Sequence, residues 1–189
     1  MSLTYQFNLE KAVQAMAFFV ERLREVEKIK LVKLVFLSDR QHFIHTGAPI
    51  TGDRQVAMPY GPVPSATLDA INGCLPSCED AVFRYINVKN NKITLKKSPG
   101  RDALSPQEVA TLEKVLKTHG ATEAWALARE TERLQEYVTA FVEGTSTTIP
   151  YESIAKTSGD PRRYRHNRAV IPGSALASMG RSIGAGNDI

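Results

Sequence analysis

The sequence has little cysteine and no long apolar run, and each shortage excludes a class of protein. Its 189 residues include two cysteines, Cys74 and Cys78, which are too few for a disulfide scaffold or a tetrahedral metal site. No apolar run approaches the roughly 18 residues of a membrane span. The first residues, MSLTYQFNLEKAV, lack a basic stretch followed by an apolar one, as a secretory signal requires. We therefore expect a cytoplasmic protein with reduced cysteines and no membrane partner.

Motifs of catalysis, nucleotide binding and metal binding are also missing. Neither a G-x-x-x-x-G-K-[ST] loop nor a G-x-G-x-x-G turn after a strand is present. His42 and His45 could share one helix face, but further ligands are remote in sequence, so a packed or solvated pair is favoured over a metal site. Ser38 and Asp39 on the same helix would point in directions different from those histidines, which disfavours a catalytic triad. We expect no enzyme activity, no cofactor and no metal.

The first two predicted helices come from apolar residues at helical spacing. Apolar content is 42% and charged content 23%, both ordinary for a globular protein. Asn8 is a candidate N-cap for a helix that reaches about residue 26. The next stretch, KIKLVKLVFLSDRQHFIHTG, is apolar nearly all round, as in a central helix that ends at Gly47. Lys30, Lys33 and Arg40 would form its exposed basic stripe.

The remaining elements are predicted from turn and capping residues. QVAM, at residues 55–58, resembles a short edge strand. Residues 82–88 and 92–97 alternate about Asn90-Asn91, as in a hairpin. Ser105 and Glu108 form a capping box around Pro106. Further helices are predicted at 64–71, at about 122–143 and from 150 onward. The predicted fold class is α+β, mostly α: a compact helical domain with one small antiparallel β-hairpin.

The stretch YGPVPSATLDAI, residues 60–71, places a stiff corner before a helix. Two prolines fix their own φ and push the preceding residues into extended conformations, while Gly61 allows a positive φ or a close backbone approach. A stiff corner loses little entropy when a partner docks on it. Two interpretations stay open: the corner packs Tyr60 against the central helix, or it forms a binding surface.

The end of the chain differs in composition from the rest. Residues 160–189 hold five arginines against two aspartates, so +3 of the net charge of +4 lies there. We divide the chain into a domain at 1–157 and a basic tail at 158–189, which we expect to be loosely ordered in the free protein. Trp125, the single tryptophan, is interpreted as a core aromatic in preference to a binding anchor.

Two stretches together resemble a known family. KLVKLVFLSDRQHFIHTGAPITGDRQVAMPYGPVPSATLDAI resembles the Panacea domain of the SocA-like antitoxin family, which also occurs in phage-associated proteins. A K-L-x-K-L helix at 30–34, a loop with Gly47, Pro49 and Ile50, and the turn Tyr60-Gly61-Pro62-Val63 after Ala57 carry the resemblance. ETERLQEYVTAFVEGTSTTIPYESI places Thr131, Glu136, Tyr137, Ile149 and Pro150 on the family pattern. Glu132 stands where that pattern has a histidine.

The resemblance implies an antitoxin that neutralises a cognate protein toxin by direct binding, without catalytic residues. The alternative is a nucleic-acid-binding protein or phage-associated adaptor that uses the basic tail. A protein partner is preferred because the body of the chain is not basic, and self-association stays open. The candidate partner-binding residues lie in the basic stripe, the corner and the tail: Lys30, Lys33, Arg40, Tyr60, Gly61, Pro62, Val63, Arg162, Arg163, Arg165 and Arg168.

Overall fold

A computed structural model describes residues 3–75 and 79–157, and this part of the chain is mostly helical. Its helices are α1 (Leu9–Leu23), α2 (Lys28–Thr46), α3 (Ser65–Ile71), α4 (Glu79–Phe83), α5 (Pro106–His119), α6 (Ala124–Glu132), α7 (Gln135–Ala140) and α8 (Tyr151–Thr157). Its strands are β1 (Glu25–Glu27), β2 (Gln55–Met58), β3 (Gly61–Pro64), β4 (Ile86–Lys89), β5 (Lys92–Leu95) and β6 (Thr147–Thr148). The predicted fold class, α+β and mostly α, is confirmed.

Helix α2 is the central element of the fold. It packs against α1, α5, α6 and β3, which explains why its sequence is apolar nearly all round. It ends as predicted at Gly47, whose φ of 81° is left-handed and whose N–H bonds to the carbonyl of Phe43. Asn8 caps α1 as predicted, since its side chain accepts a hydrogen bond from the Lys11 N–H at 3.0 Å. Helix α1 ends earlier than predicted, at Leu23, because Arg24 turns the chain into β1 with a φ of 66°.

The strands form two three-stranded antiparallel sheets among the described residues, in place of the single predicted hairpin. The first sheet has the order β1-β5-β4 and contains the predicted hairpin, with Asn90 and Asn91 at φ of 51° and 61°. The first strand of this hairpin is shorter than predicted, because Val82 and Phe83 belong to α4 and β4 begins at Ile86. The second sheet has the order β3-β2-β6. The prediction of an edge strand at 55–58 is wrong, because β2 pairs with β3 on one side and β6 on the other.

Helix α5 begins at the capping box that the sequence predicts. The Ser105 hydroxyl accepts from the Glu108 N–H at 3.2 Å, and the Glu108 carboxylate accepts from the Ser105 N–H at 2.7 Å. The same carboxylate also pairs with Lys11 of α1 at 2.6 Å. The cap therefore fixes the start of α5 and ties it to α1.

The helix predicted at 122–143 is in fact two helices. Helix α6 ends at Glu132, and Leu134 has an extended backbone, with φ of −65° and ψ of 130°, before α7 begins. The break redirects α7 so that Glu136 and Tyr137 are buried, where Glu136 meets Arg40 and the Tyr137 hydroxyl donates to the Met58 carbonyl at 3.0 Å. A straight helix would carry both side chains elsewhere, so tertiary contacts override local helical periodicity here.

Two hydrophobic clusters organise the interior. The larger lies among α1, α2, α5 and the first sheet, and includes Phe18, Phe19, Leu34 and Ile93. The smaller joins the end of α2 to α7 and α8, and includes Phe43, Tyr137, Tyr151 and Ile154. Within residues 3–75 and 79–157, no helix combines the length and apolarity needed to cross a membrane.

Candidate functional site

The turn between β2 and β3 holds a tyrosine in a backbone conformation that tyrosine disfavours. Met58 pairs with Gly61, so Pro59 and Tyr60 form a two-residue loop. Tyr60 has a φ of 70°, and after the fixed negative φ of a proline this is the pattern of a type II turn. That position favours glycine, and a left-handed conformation costs another residue roughly 1–2 kcal/mol. The fold therefore holds Tyr60 in a strained conformation.

The Tyr60 ring is exposed and meets a second exposed aromatic ring from α6. Tyr60 is 59% exposed and Trp125 is 46% exposed. The ring centroids lie 5.3 Å apart with an interplanar angle of 86°, an edge-to-face contact. We call Pro59, Tyr60, Gly61 and Trp125 the aromatic corner. The interpretation of Trp125 as a core residue is wrong.

The first turn of α6 fixes the position of Trp125. Glu123 caps this helix, and its carboxylate accepts from the Trp125 N–H at 3.0 Å and the Ala126 N–H at 2.9 Å. These two hydrogen bonds lower the pKa of Glu123. The corner is thus built from two elements, each fixed by local chemistry: a cap on α6 and a proline turn in the second sheet.

Gly61 packs so closely on the elements beneath it that no side chain fits. A Cβ at this position would lie 2.7 Å from Thr131 Oγ1 and 3.1 Å from Lys33 Nζ. Its φ of 97° also favours glycine. Thr131 itself is buried and donates to the Ala128 carbonyl at 2.8 Å. The turn therefore rests directly on α2 and α6.

Lys33 lies beneath the corner and not on an exposed stripe. It is 1% exposed, and its Nζ donates to the carbonyl of Pro62 at 2.8 Å. Burial lowers the pKa of Lys33 to about 7, and the nearby charge of Glu132 opposes this shift. The prediction of an exposed basic stripe is wrong for Lys33, because β3 and α6 cover this face of α2.

The other two residues of the predicted stripe are half-buried and already have partners. Lys30 Nζ donates to the carbonyl of Gly120 at 2.7 Å, which ties α2 to the end of α5. Arg40 pairs with Glu136, whose side chain is fully buried and also accepts from the Thr157 hydroxyl at 3.0 Å. Both residues hold helices together here, and their role in partner binding stays a prediction.

A buried polar cluster connects α2 and the start of α3 with the second sheet. Asp39 is fully buried and accepts from the Thr51 N–H at 2.8 Å, from the Thr51 hydroxyl and from the Gln55 amide at 3.2 Å. Burial raises the pKa of Asp39 to about 7. Asp53 accepts from the N–H groups of Ala66 and Thr67 at 2.9 and 2.7 Å, and burial raises its pKa. These carboxyl groups fix loops and the start of α3.

The residues considered for a triad or a metal site do not assemble into either. The Ser38 hydroxyl donates to the Leu34 carbonyl at 2.7 Å, and the His42 Nδ1 lies 2.7 Å from the Ala48 carbonyl oxygen. Asp39 is engaged by Thr51 and Gln55. In the described ranges, no group of three or more candidate ligands could hold a metal ion.

The structure brings some of the predicted site residues together and leaves others apart. Tyr60 is exposed, whereas Gly61, Pro62 and Val63 are buried, so only Tyr60 offers its side chain to a partner. Lys33 joins this group from below. The cluster Arg162, Arg163, Arg165 and Arg168, like the boundary at residue 158, lies outside the described residues.

Sequence reasoning missed two residues that support the aromatic corner, Glu123 and Thr131. Glu123 was not identified as the N-cap of α6, because glutamate is not among the residues usually found at that position, which are Ser, Thr, Asp and Asn. Thr131 was placed only by resemblance to the family pattern, and its contact with Gly61 depends on the fold. The exposure of Trp125 depends on how α6 packs on α2 and β3, and not on a local signal.

Comparison with known proteins gives one family. The family model described as "Antitoxin SocA-like, Panacea domain" matches residues 31–136, which is more than half of the chain and includes both elements of the aromatic corner. No curated protein and no solved structure matches the chain.

Proposed function

Because this chain belongs to the SocA-like antitoxin family with the Panacea domain, we propose that it neutralises a cognate toxin protein by binding it directly. The aromatic corner forms the centre of the interface. The proposal includes no catalytic step, and the chain acts by occupying a surface of the toxin.

The observation that carries this proposal is the strained and exposed conformation of Tyr60. A left-handed tyrosine costs stability, and such strain is concentrated at functional sites. Burial does not compensate for it, since 59% of the residue is exposed. Aromatic rings are the most common anchors of protein interfaces, and a partner that covers this ring gains contact area.

The rigidity of the corner favours the same use. Both rings are displayed from fixed backbone: a proline turn for Tyr60 and a capped helix start for Trp125. Their edge-to-face contact restricts both side chains before a partner arrives. Little side-chain entropy is then lost on binding, which leaves more of the contact energy as affinity.

The buried carboxyl groups support binding without catalysis. Asp39 and Asp53 accept hydrogen bonds from neighbouring loops and from α3, and neither is exposed. Asp53, with Tyr5, Arg54 and Ile149 among others, lines a cavity of about 280 Å³. Tyr151 also lines it, and its hydroxyl donates to the Asp53 carbonyl at 2.8 Å. The acidic side chains thus serve the fold.

The test is co-expression with the protein encoded by the neighbouring reading frame, followed by co-purification and a growth assay. Tyr60→Gly and Trp125→Ala are each expected to weaken the complex by more than about 1 kcal/mol, because each removes an anchor. Val138→Ala is the matched control, since Val138 of α7 is 56% exposed and apolar. Full protection by both corner variants would contradict the placement of the interface. Salt-sensitive retention on nucleic acid without any protein partner would favour the alternative function.

A further inference from the structure

A buried lysine supports the aromatic corner at its base. Lys33 projects from α2, is 1% exposed, and donates from Nζ to the carbonyl of Pro62 at 2.8 Å. Pro62 lies in β3, two residues after Tyr60 of the turn. The lysine is thus connected to the exposed ring through a short piece of backbone whose proline has a fixed φ.

The fit around this amine is close. A Cβ on Gly61 would lie 3.1 Å from Lys33 Nζ and 2.7 Å from Thr131 Oγ1. Gly61, Thr131 and the amine therefore occupy one packed layer between α2, α6 and β3. A small displacement of the lysine is passed to the turn, because packed layers respond to a change by shifting and not by compressing.

Few charges act on the amine in this layer. Strand β3 contributes no titratable side chain, and Glu132 of α6 is the acidic group whose charge acts on Lys33. Tyr137 of α7 lies near Glu132, and its hydroxyl donates to the Met58 carbonyl. On α2 itself, Lys30 donates to Gly120 and Arg40 pairs with Glu136. From α5, His119 lies 3.5 Å from Glu130 of α6.

An ammonium group and a neutral amine hold the Pro62 carbonyl with different strength. Charge-assisted hydrogen bonds are shorter and roughly twice as strong as neutral ones. Burial lowers the pKa of Lys33 to about 7, so both forms occur near neutral pH. Lysines in water keep their charge throughout this range.

We infer that Lys33 is the positioning residue of the aromatic corner, and that protonation of its amine sets how firmly the turn presents Tyr60 against Trp125. The ammonium form holds the turn firmly on α2 and α6, and the neutral form holds it more weakly. The use of this control in toxin binding rests on the proposed function. The effect on the corner itself does not, and it can be measured without a partner.

The experiment uses the fluorescence of Trp125, which is the single tryptophan of the chain and touches the Tyr60 ring. Emission of the full-length protein is recorded from about pH 5.5 to about pH 9, a range in which ordinary lysines stay charged. We expect a single sigmoidal shift of the emission maximum with a midpoint near the pKa of Lys33, about 7. In Lys33→Met the spectrum is expected to be independent of pH across this range.

Two control variants test whether a group other than Lys33 causes the shift. His119→Gln removes the histidine that faces α6, and Asp39→Asn removes the carboxyl group whose pKa burial raises to about 7. Both variants are expected to keep the shift. A shift that survives in Lys33→Met, disappears in either control, or is absent from the wild-type protein would overturn the inference.

A measurement on the wild-type protein covers the case in which Lys33→Met does not fold. Lysine side chains labelled with ¹³C at Cε are titrated by NMR. One resonance is expected to move with a midpoint near 7, while the resonances of solvated lysines move with midpoints of about 10.4. The absence of such a resonance would overturn the inference. These readouts need no toxin, so their failure is distinct from a failure of the Tyr60→Gly binding test.

Discussion

At the scale of single residues, two substitutions of Tyr60 distinguish the cost of its left-handed backbone from the contribution of its ring. Tyr60→Gly and Tyr60→Ala both remove the ring and its contact with Trp125. Only glycine also relieves the left-handed φ of 70°. We expect Tyr60→Gly to have the higher free energy of unfolding, by roughly 1 kcal/mol, in urea denaturation. Equal free energies of unfolding for the two variants would mean that a left-handed φ at this position has no cost. Tyr60 would then carry no strain in the native protein.

The second residue-scale prediction compares two glycines with similar backbone angles and different surroundings. Gly61 has a φ of 97° and Gly144 a φ of 75°. A Cβ at Gly61 would meet Thr131 Oγ1 and Lys33 Nζ, whereas a Cβ at Gly144 would meet no atom of the described residues within 4 Å. Gly144→Ala should therefore lower the free energy of unfolding only by the cost of a left-handed alanine, roughly 1–2 kcal/mol.

Gly61→Ala should lower the free energy of unfolding by more than Gly144→Ala does, because steric conflict in a packed layer adds about 1–3 kcal/mol. Thermal unfolding of the two variants gives the comparison directly. If Gly61→Ala were no more destabilising than Gly144→Ala, the layer beneath the corner would be looser than these distances indicate, and Lys33 could not act through it.

The residue scale also shows what the sequence could predict of the site. Two prolines and a glycine in YGPVP are sufficient to predict a stiff corner, because their backbone preferences are local. The burial of Lys33 could not be predicted in this way. Lysine normally lies on surfaces, and only the positions of β3 and α6 over this face of α2 enclose it.

At the scale of elements, the ion pair between Arg40 and Glu136 holds α7 against α2. The Glu136 side chain is fully buried and that of Arg40 is 22% exposed. Removing the cation leaves a buried carboxylate without its charge partner, which costs about 3–5 kcal/mol in buried pairs. We expect Arg40→Met to lower the free energy of unfolding by an amount near the lower end of that range, because Thr157 still donates to Glu136.

The matched control for this prediction is the exposed pair of Lys92 with Glu25, at 2.6 Å. Both side chains are more than half exposed, so Lys92→Met should leave the urea midpoint unchanged. An Arg40→Met variant as stable as Lys92→Met would show that α7 is held by its apolar contacts alone.

Elements with strong local signals were predicted well, and elements made by distant pairing were not. The capping box of α5 and the turn at Asn90-Asn91 depend on neighbouring residues and are confirmed. Strands β1 and β6 are three and two residues long, too short for a period-2 pattern to appear. They exist because β5 and β2 offer them a partner, which no local window of the sequence contains.

At the scale of the whole molecule, two buried groups make the stability depend on pH in opposite directions. Asp39 has its pKa raised to about 7, so the folded state keeps a proton that the unfolded state releases near pH 4. Stability therefore falls as pH rises from about 4 to about 7. Lys33 has its pKa lowered to about 7, so the unfolded state holds the extra proton between about 7 and about 10. Stability rises across that second range.

We expect the free energy of unfolding to have a minimum near pH 7, where the two ranges meet. Each group contributes a slope of at most about 1.4 kcal/mol per pH unit. Urea denaturation from about pH 5 to about pH 9 measures the profile. Asp39→Asn should flatten the acidic side and Lys33→Met the alkaline side. A maximum near neutral pH in the wild-type protein would mean that neither pKa is shifted in this direction.

Strand β3 lies at the edge of its sheet, where unpaired backbone usually invites strand addition. Here Pro62 and Pro64 have no N–H to donate, and the carbonyl of Pro62 is taken by Lys33. A partner at this edge cannot extend the ladder, so it must be recognised through side chains. Because β3 and the partner share no backbone hydrogen bonds, the partner needs no particular chain direction and no particular strand register. Partners of unrelated topology can therefore meet the same requirement, provided that each has an apolar recess that admits the two rings.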